Sequence, residues 1–212
     1  MAYDFNGTNQ YLSVATSPVS NVEITIAARF ISDSSTTNQA LCQINNSTAS
    51  DRFLMAANLG TASTPFRAFV QNSSTTTAQA DYNGLAVSTQ YHGAVVFTSS
   101  TSRRAYLDGN ASALSTATCA LGTVDRFTIA SRLLAAAQGL YVDGRISEFG
   151  IWDTSLNADE IVSLAKGFKC HRVRPQNLKF YAPLVRELID VRGGVTITNN
   201  NTATVAVQPR VI

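Results

Sequence analysis

Hydrolysis of a glycosidic bond needs two carboxyl groups facing each other across the bond, roughly 5–10 Å apart. A strand supplies such a pair when acids alternate along it, and no alternating run of acids occurs in this chain. The nearest clusters are Asp159-Glu160 and Glu187 with Asp190. Asp159-Glu160 opens a segment of helical spacing, where acids favour the positive end of the helix dipole. Glu187 and Asp190 lie beside Arg186 and Arg192 and read as solvated ion pairs. Nucleophilic chemistry fares no better. Serine is abundant, but no G-x-S-x-G occurs. His92 and His171 have no evident partner, and His92 reads as a packing residue. The three cysteines, Cys42, Cys119 and Cys170, are odd in number and widely spaced, without a C-x-x-C. That pattern excludes a zinc site and a disulfide framework. Cys170-His171 is a tempting pair, but neighbours in a strand point to opposite faces. Asp4, Asp51, Asp81, Asp143 and Asp153 could each offer oxygen to calcium, yet no D-x-D-x-D string gathers them. There is no phosphate-cradling glycine loop. The expectation is a protein that is not an enzyme, with no cofactor; calcium is permitted but not predicted.

Charge is unevenly spread. Residues 1–165 hold 8 Arg, no Lys and 12 Asp/Glu, a net of −4, while residues 166–212 hold 8 Lys/Arg and 2 Asp/Glu, a net of +6. A mildly acidic body therefore carries a basic C-terminal segment. Lys166, Lys169, Arg172, Arg174, Lys179, Arg186, Arg192 and Arg210 are the candidate residues for docking on an acidic partner. Only Lys166 to Arg174, with Phe168, could face nucleic acid, and it is too short to do so. No run approaches the ~20 apolar residues of a membrane span. Met1-Ala2-Tyr3-Asp4 lacks the basic and apolar regions of a signal peptide, so synthesis in the cytoplasm without a signal is expected.

The elements that must position these residues are mostly strands. Only 14% of the chain is charged, against roughly 25% in an average soluble domain. Ser and Thr fill the gap, at about a fifth of the residues, and Thr packs well on a pleated sheet. Turn signals recur at Asn6-Gly7, Asn58-Leu59-Gly60, Asn83-Gly84, Asp108-Gly109 and Asp143-Gly144. Between them lie short runs of period-2 alternation. In the longest, Val22, Ile24, Ile26, Ala28 and Phe30 share one face. Ala94–Phe97, Arg104–Leu107, Phe127–Ala130 and Gly144–Trp152 continue the pattern. Many short strands with frequent turns imply a sandwich or barrel. Thr154–Leu164 predicts one short helix, capped by Ser155 or Asn157 and ended near Gly167. Beyond it, Asn177–Ala182, Val195–Thr198 and Thr204–Val207 read as strands, Asn199–Asn201 as a loop, and 208–212 as extended chain.

Four segments together resemble the laminin-G-like, concanavalin-A-like jelly-roll family. Asp4-Phe5-Asn6-Gly7 through Tyr11-Leu12-Ser13-Val14 is similar to its opening strand pair. Ile24–Phe30 is similar to the next strand, with Ala28-Arg29 where an aromatic is usual. Tyr91-His92-Gly93-Ala94-Val95-Val96-Phe97, then Arg104–Gly109, resembles "W-H-H-V-A-x-V … L-Y-V-D-G". Asp143–Asp153 with Leu156–Ile161 resembles "G-x-I-D-E-V-R-I-Y-N-R-A-L-S-A-E-E-I". The matches run from about residue 4 to 165. The resemblance implies an all-β, concanavalin-A-like jelly-roll β-sandwich over 1–165, with one short helix. Phe149 and Trp152 would fill its core. The basic segment 166–212 would complete the sandwich or dock on a partner.

The family includes lectins, adhesion modules, glucanases and structural domains, so the fold leaves function open. The leading expectation is a structural virion protein of the kind found in tailed bacteriophages. It would be a capsid decoration protein on the virion surface, bound to the major capsid protein or other virion subunits, and a homo-oligomer on the particle. Its motives are the absent secretion signal, the hydroxyl-rich surface and the basic segment. The alternative is a carbohydrate-binding lectin or adhesin that takes a surface glycan, with Tyr82-Asn83, Tyr141 and Trp152 as contributors. Neither nucleic acid nor membrane is expected as a partner.

Overall fold

A computed structural model describes residues 1–20, 23–48, 50–58, 60–134 and 137–207. The chain opens with β1 (Ala2–Asn6), β2 (Tyr11–Val14) and β3 (Ile24–Ser32). A meander follows: β4 (Asn38–Asn45), β5 (Arg52–Asn58), β6 (Phe66–Gln71) and β7 (Thr77–Tyr82). Next come β8 (Gln90–Ser99), β9 (Ser102–Leu107), β10 (Asn110–Ala111) and β11 (Arg126–Ile129). The hairpin β12 (Arg132–Leu134) and β13 (Ala137–Gly139) leads into the long β14 (Asp143–Trp152). Helix α1 (Ala158–Ala165), a single 3-10 turn (Cys170–Arg172), β15 (Leu178–Ala182), β16 (Thr198–Asn200) and β17 (Thr204–Ala206) complete it.

Two antiparallel sheets face each other. The first runs β10-β9-β8-β3-β14-β1-β17, with β15 beside the far half of β14; the second runs β16-β2-β11-β4-β5-β6-β7. The expected all-β jelly-roll sandwich is what forms. Strand alternation explains the interior. Ile24, Ile26, Ala28 and Phe30 of β3 point inward with Phe53, Phe66, Phe97 and Phe127. Phe127 meets Phe180 edge-on at 4.9 Å between ring centres, and Phe149 meets Phe180 at 5.9 Å. Val22 lies outside the described residues.

The outer face of the first sheet is covered by α1 and the 3-10 turn. Ala27, Ala94, Val96 and Tyr106 of the sheet pack there against Leu156, Ile161, Leu164, Cys170 and Val173. Trp152 belongs to this cluster and not to the space between the sheets. An irregularity between Ser147 and Gly150 shifts the alternation of β14, so that Phe149 and Ile151 face inward and Trp152 outward, and the indole N–H donates to Val173 O at 2.9 Å. Of the two aromatics expected in the core, only Phe149 is there. Asn157 caps α1: its side chain accepts from Glu160 N, and the Glu160 carboxylate accepts from Asn157 N. Gly167, at φ +103°, ends the helical segment.

Three local expectations change. Asp143-Gly144 is the start of β14 and not a turn. Gly144, at φ +140°, is required because a Cβ there would stand 2.1 Å from Ile31 O. The late strand forms at Thr198–Asn200, beside β2, while Val195–Ile197 carries only the Ile189–Thr196 bridge. The Asn-rich stretch pairs because Asn199 grips both backbone groups of Ala203, closing a tight turn through Asn201 and Thr202. Asp190 is buried, not solvated. Its carboxylate accepts from the backbone N–H groups of Tyr181, Arg192, Gly193 and Val195. The extended 208–212 lies outside the described residues.

Candidate functional site

Several of the basic docking residues are engaged within the chain. Lys169 pairs with Glu148 at 2.5 Å, Arg174 with Glu160 at 2.7 Å and Lys179 with Asp153 at 3.0 Å. Arg192 spends its Nε on Leu178 O. Lys166 caps α1 and borders a cavity of about 330 Å³ with Arg29, His92 and Asp108. Arg172 lies exposed in the 3-10 turn, and Arg186 offers its carbonyl to Tyr3. Arg210 lies outside the described residues. Three of the seven described cations are thus neutralised within the chain, each by a different acid.

Of the acids considered for calcium, Asp4 and Asp143 lie on adjacent strands. Asp4 faces Arg145, Asp81 pairs with Arg67, and Asp153 with Lys179. Asp51 is buried and holds Ser73 N and Gly122 N. No group of three or more His, Cys, Asp or Glu gathers to hold a metal among the described residues. Cys42 and Cys170 are buried thiols whose pKa burial raises.

The polar face that stands out is the outer side of the second sheet. Register places its side chains in cross-strand rows. One row is Thr128, Gln43, Leu54, Phe69 and Gln79; the next is Arg126, Asn45, Arg52, Gln71 and Thr77; a third is Ala40, Ala56, Arg67 and Asp81. The alternate positions, Ile44, Phe53, Val70 and Ala78, fill the core. An outward row should be solvated, yet Gln43 and Asn45 are fully buried and Arg52 is 4% exposed.

The hairpin β12–β13 covers the part of this face around Gln43. It folds back over the face, with Gln43 Nε2 donating to Leu133 O at 2.8 Å and Thr128 Oγ1 to Ser131 O at 2.9 Å. Ala40 N donates to Leu140 O at 2.8 Å. Under this flap lies a small apolar floor of Ala40, Leu54 and Ala56, flanked by Phe69 and Leu140. The Arg52 guanidinium stands 6.0 Å from the centre of the Phe69 ring and donates to Gln71 Oε1.

The polar groups around the floor are incompletely satisfied. Gln43 Oε1, Asn45 Oδ1 and Arg132 Nε are buried without a hydrogen bond. Burial, and next the positive charge of Arg132, lowers the pKa of Arg52; burial lowers that of Arg132. Each unmet buried group costs about 1–3 kcal/mol, so a cluster of them marks a place that something else completes.

Sequence reading did not single out Arg52, Arg132, Gln43 or Asn45. The available signal was in Arg52-Phe53-Leu54-Met55-Ala56-Ala57, a strand apolar on both faces. In an antiparallel sandwich such a strand needs cover on its outer side. Of the lectin contributors, Trp152 is fully buried under α1, and Tyr141 lies 6.2 Å from Tyr11. Tyr82 closes β7 and packs against the core.

Architecture and site together define a jelly-roll module with one sheet sealed by a helix and the other presenting a flap-covered polar face. The chain belongs to the concanavalin A-like lectin/glucanases superfamily: residues 6–162 match its laminin-G-type family model. A search of curated sequences returned no match. Among solved structures, the heptameric SAP-like pentraxin from Limulus polyphemus is similar at TM-score 0.68 and 11% identity, over 94% of this chain and 91% of that one. The CBM40 of Ruminococcus gnavus IT-sialidase, bound to α2,3-sialyllactose, is similar at TM-score 0.59 and 11% identity, over 78% and 98%. Domains LG4-5 of the mouse laminin α1 chain follow at TM-score 0.55 and 14% identity, over 71% and 41%. At these identities the likeness is one of fold.

Proposed function

We propose that this chain is a non-catalytic carbohydrate-binding module, with its site on the outer face of the second sheet under β12–β13. The observation that carries the reading is the set of buried, unpartnered acceptors Gln43 Oε1 and Asn45 Oδ1 beside the apolar floor of Leu54 and Ala56. Sugars match that combination. Their hydroxyls donate to amide oxygens, and their C–H faces cover apolar side chains. Few convergent polar groups around an apolar surface are the usual make-up of a ligand site. A module of the same fold holds sialyllactose, which supports the class of ligand. The non-catalytic reading rests on Asp81, the acid of this face, being held at 2.7 Å by Arg67, with no second free carboxylate opposite it among the described residues.

Attachment of 166–212 to a virion shell is the weaker reading, because Lys169, Arg174 and Lys179 already serve acids of the same chain. The test is a glycan panel followed by calorimetry. Retention of a defined glycan by the native chain, lost in Leu54→Arg with an unchanged circular-dichroism spectrum, supports the module. Failure to retain any glycan at millimolar concentration overturns it.

A further inference from the structure

We infer that the cavity under the C-terminal end of α1 is a second ligand site, for a small carboxylate that carries a hydroxyl or an amine on the neighbouring carbon. It lies on the outer side of the first sheet, away from the proposed glycan face. Pairing of β3 with β8 sets Arg29 opposite His92, and strand alternation turns both outward with Ala27 and Ala94. The turn after β9 brings Asp108 alongside: its Oδ1 accepts from His92 N at 2.7 Å, and its own N–H donates to His92 O at 2.8 Å. Helix α1 roofs this row with Val162, Ala165 and the capping Lys166, and the space between them is a cavity of about 330 Å³.

The fold leaves the groups around this cavity unengaged. Arg29 Nη2 donates to Leu164 O at 2.9 Å and to Ala165 O at 3.0 Å, which fixes the guanidinium and leaves Nε and Nη1 without a hydrogen bond among the described residues. Arg29, Lys166 and Asp108 border the same space, yet none of them makes an ion pair among the described residues. His92 is 4% exposed, and neither ring nitrogen has a hydrogen-bond partner among the described residues. Burial and Arg29 keep the ring neutral at physiological pH, so it presents one donor and one acceptor, both unmet. Two cations against one carboxylate favour a monoanion. A planar carboxylate fits the free side of a guanidinium, whereas Arg29 and Lys166 would repel a divalent metal. A bare halide would leave the cavity mostly empty, since a water-sized occupant fills roughly 30 Å³. A hydroxyl or amine beside the carboxylate gives the imidazole its missing partner, and Val162 and Ala165 face the carbon. Hydroxy acids and amino acids share this chemistry.

The chain has two histidines, and His171 is exposed outside the cavity, so imidazole nitrogen resonances of the ¹⁵N-labelled full chain carry their own control. DL-lactate, DL-alanine and propionate are titrated at fixed pH and ionic strength; the first two distinguish the two sources, and propionate lacks the donor. Lactate or alanine should shift the His92 signals saturably and leave those of His171 in place, with a midpoint at least roughly tenfold below that of propionate. Lys166 is exposed, so its replacement spares the core. Lys166→Ala should raise the midpoint about tenfold, the scale of one lost charge-assisted hydrogen bond, and Lys166→Arg should restore most of it. No movement of His92 up to roughly 100 mM, well above the millimolar range of ligands this small, overturns the site and leaves the cavity to water. Equal midpoints for propionate, or a midpoint unchanged in Lys166→Ala, overturn it as well. Each of these results leaves the glycan face, on the opposite sheet, to its own test.

Discussion

At the scale of single residues, burial decides more than residue type. His92 is 4% exposed, with Nδ1 unpartnered, and its backbone N–H donates to Asp108 at 2.7 Å. Burial, helped by Arg29, pushes its pKa down to about 3. In the unfolded chain it titrates near 6.5. Above pH 6.5 both states are neutral and folding is unaffected by the group. Between pH 6.5 and 3 only the unfolded state takes the proton, so stability falls with pH, by up to about 1.4 kcal/mol per unit. Arg29, Lys166 and Asp108 border the same cavity; the two cations oppose protonation and Asp108 favours it. Urea midpoints should therefore drop between pH 6 and 4, and His92→Gln should flatten that slope. A slope unchanged in the variant assigns it to other groups. Asp190 offers a second test. Removing a buried carboxylate that holds four backbone N–H groups should cost about 3 kcal/mol or more in Asp190→Ala, read from the same midpoints.

At the scale of elements, what was legible in the sequence is what local chemistry fixes. The helix was readable because Asn157 and Glu160 stand three apart before an apolar stripe, and they form the reciprocal cap. Asn157→Ala should cost about 1 kcal/mol, or roughly 2–4 °C of melting temperature in a chain this size. An unchanged melting temperature would mean that tertiary packing alone holds α1. Strand existence was readable from alternation, as in β3. The face each side chain serves was less so, because it depends on what lands on the sheet later in the chain. Trp152 faces outward because the irregularity between Ser147 and Gly150 shifts the alternation of β14, and Asn199–Asn201 reads as loop until β2 supplies a partner edge. The candidate site was illegible for the same reason. Arg52 and Arg132 are 80 positions apart, and only the fold-back of β12–β13 over β4 brings their fields together.

At the scale of the whole molecule, the basic C-terminal segment is interior structure as much as surface. β15 continues the first sheet beside β14, β17 extends it beside β1, and β16 borders β2 in the second. Cys170, Val173, Leu178, Phe180, Tyr181, Leu184 and Ile197 are all buried. At about 1.5–3 kcal/mol per large apolar side chain, deleting them removes on the order of 10 kcal/mol. That equals the whole net stability of an ordinary domain, about 5–15 kcal/mol. Without Phe180 the rings of Phe127 and Phe149 lose their edge-on partner, and β14 exposes the edge that β15 covers. A chain cut after Gly167 should therefore lose its near-ultraviolet circular dichroism and its cooperative melt. The outcome also weighs the two uses of the segment. If 1–167 remains folded and still binds its glycan, the segment is dispensable to the sandwich and free to dock elsewhere. If it unfolds, the positive charge of 166–212 is carried by a segment that the sandwich cannot do without.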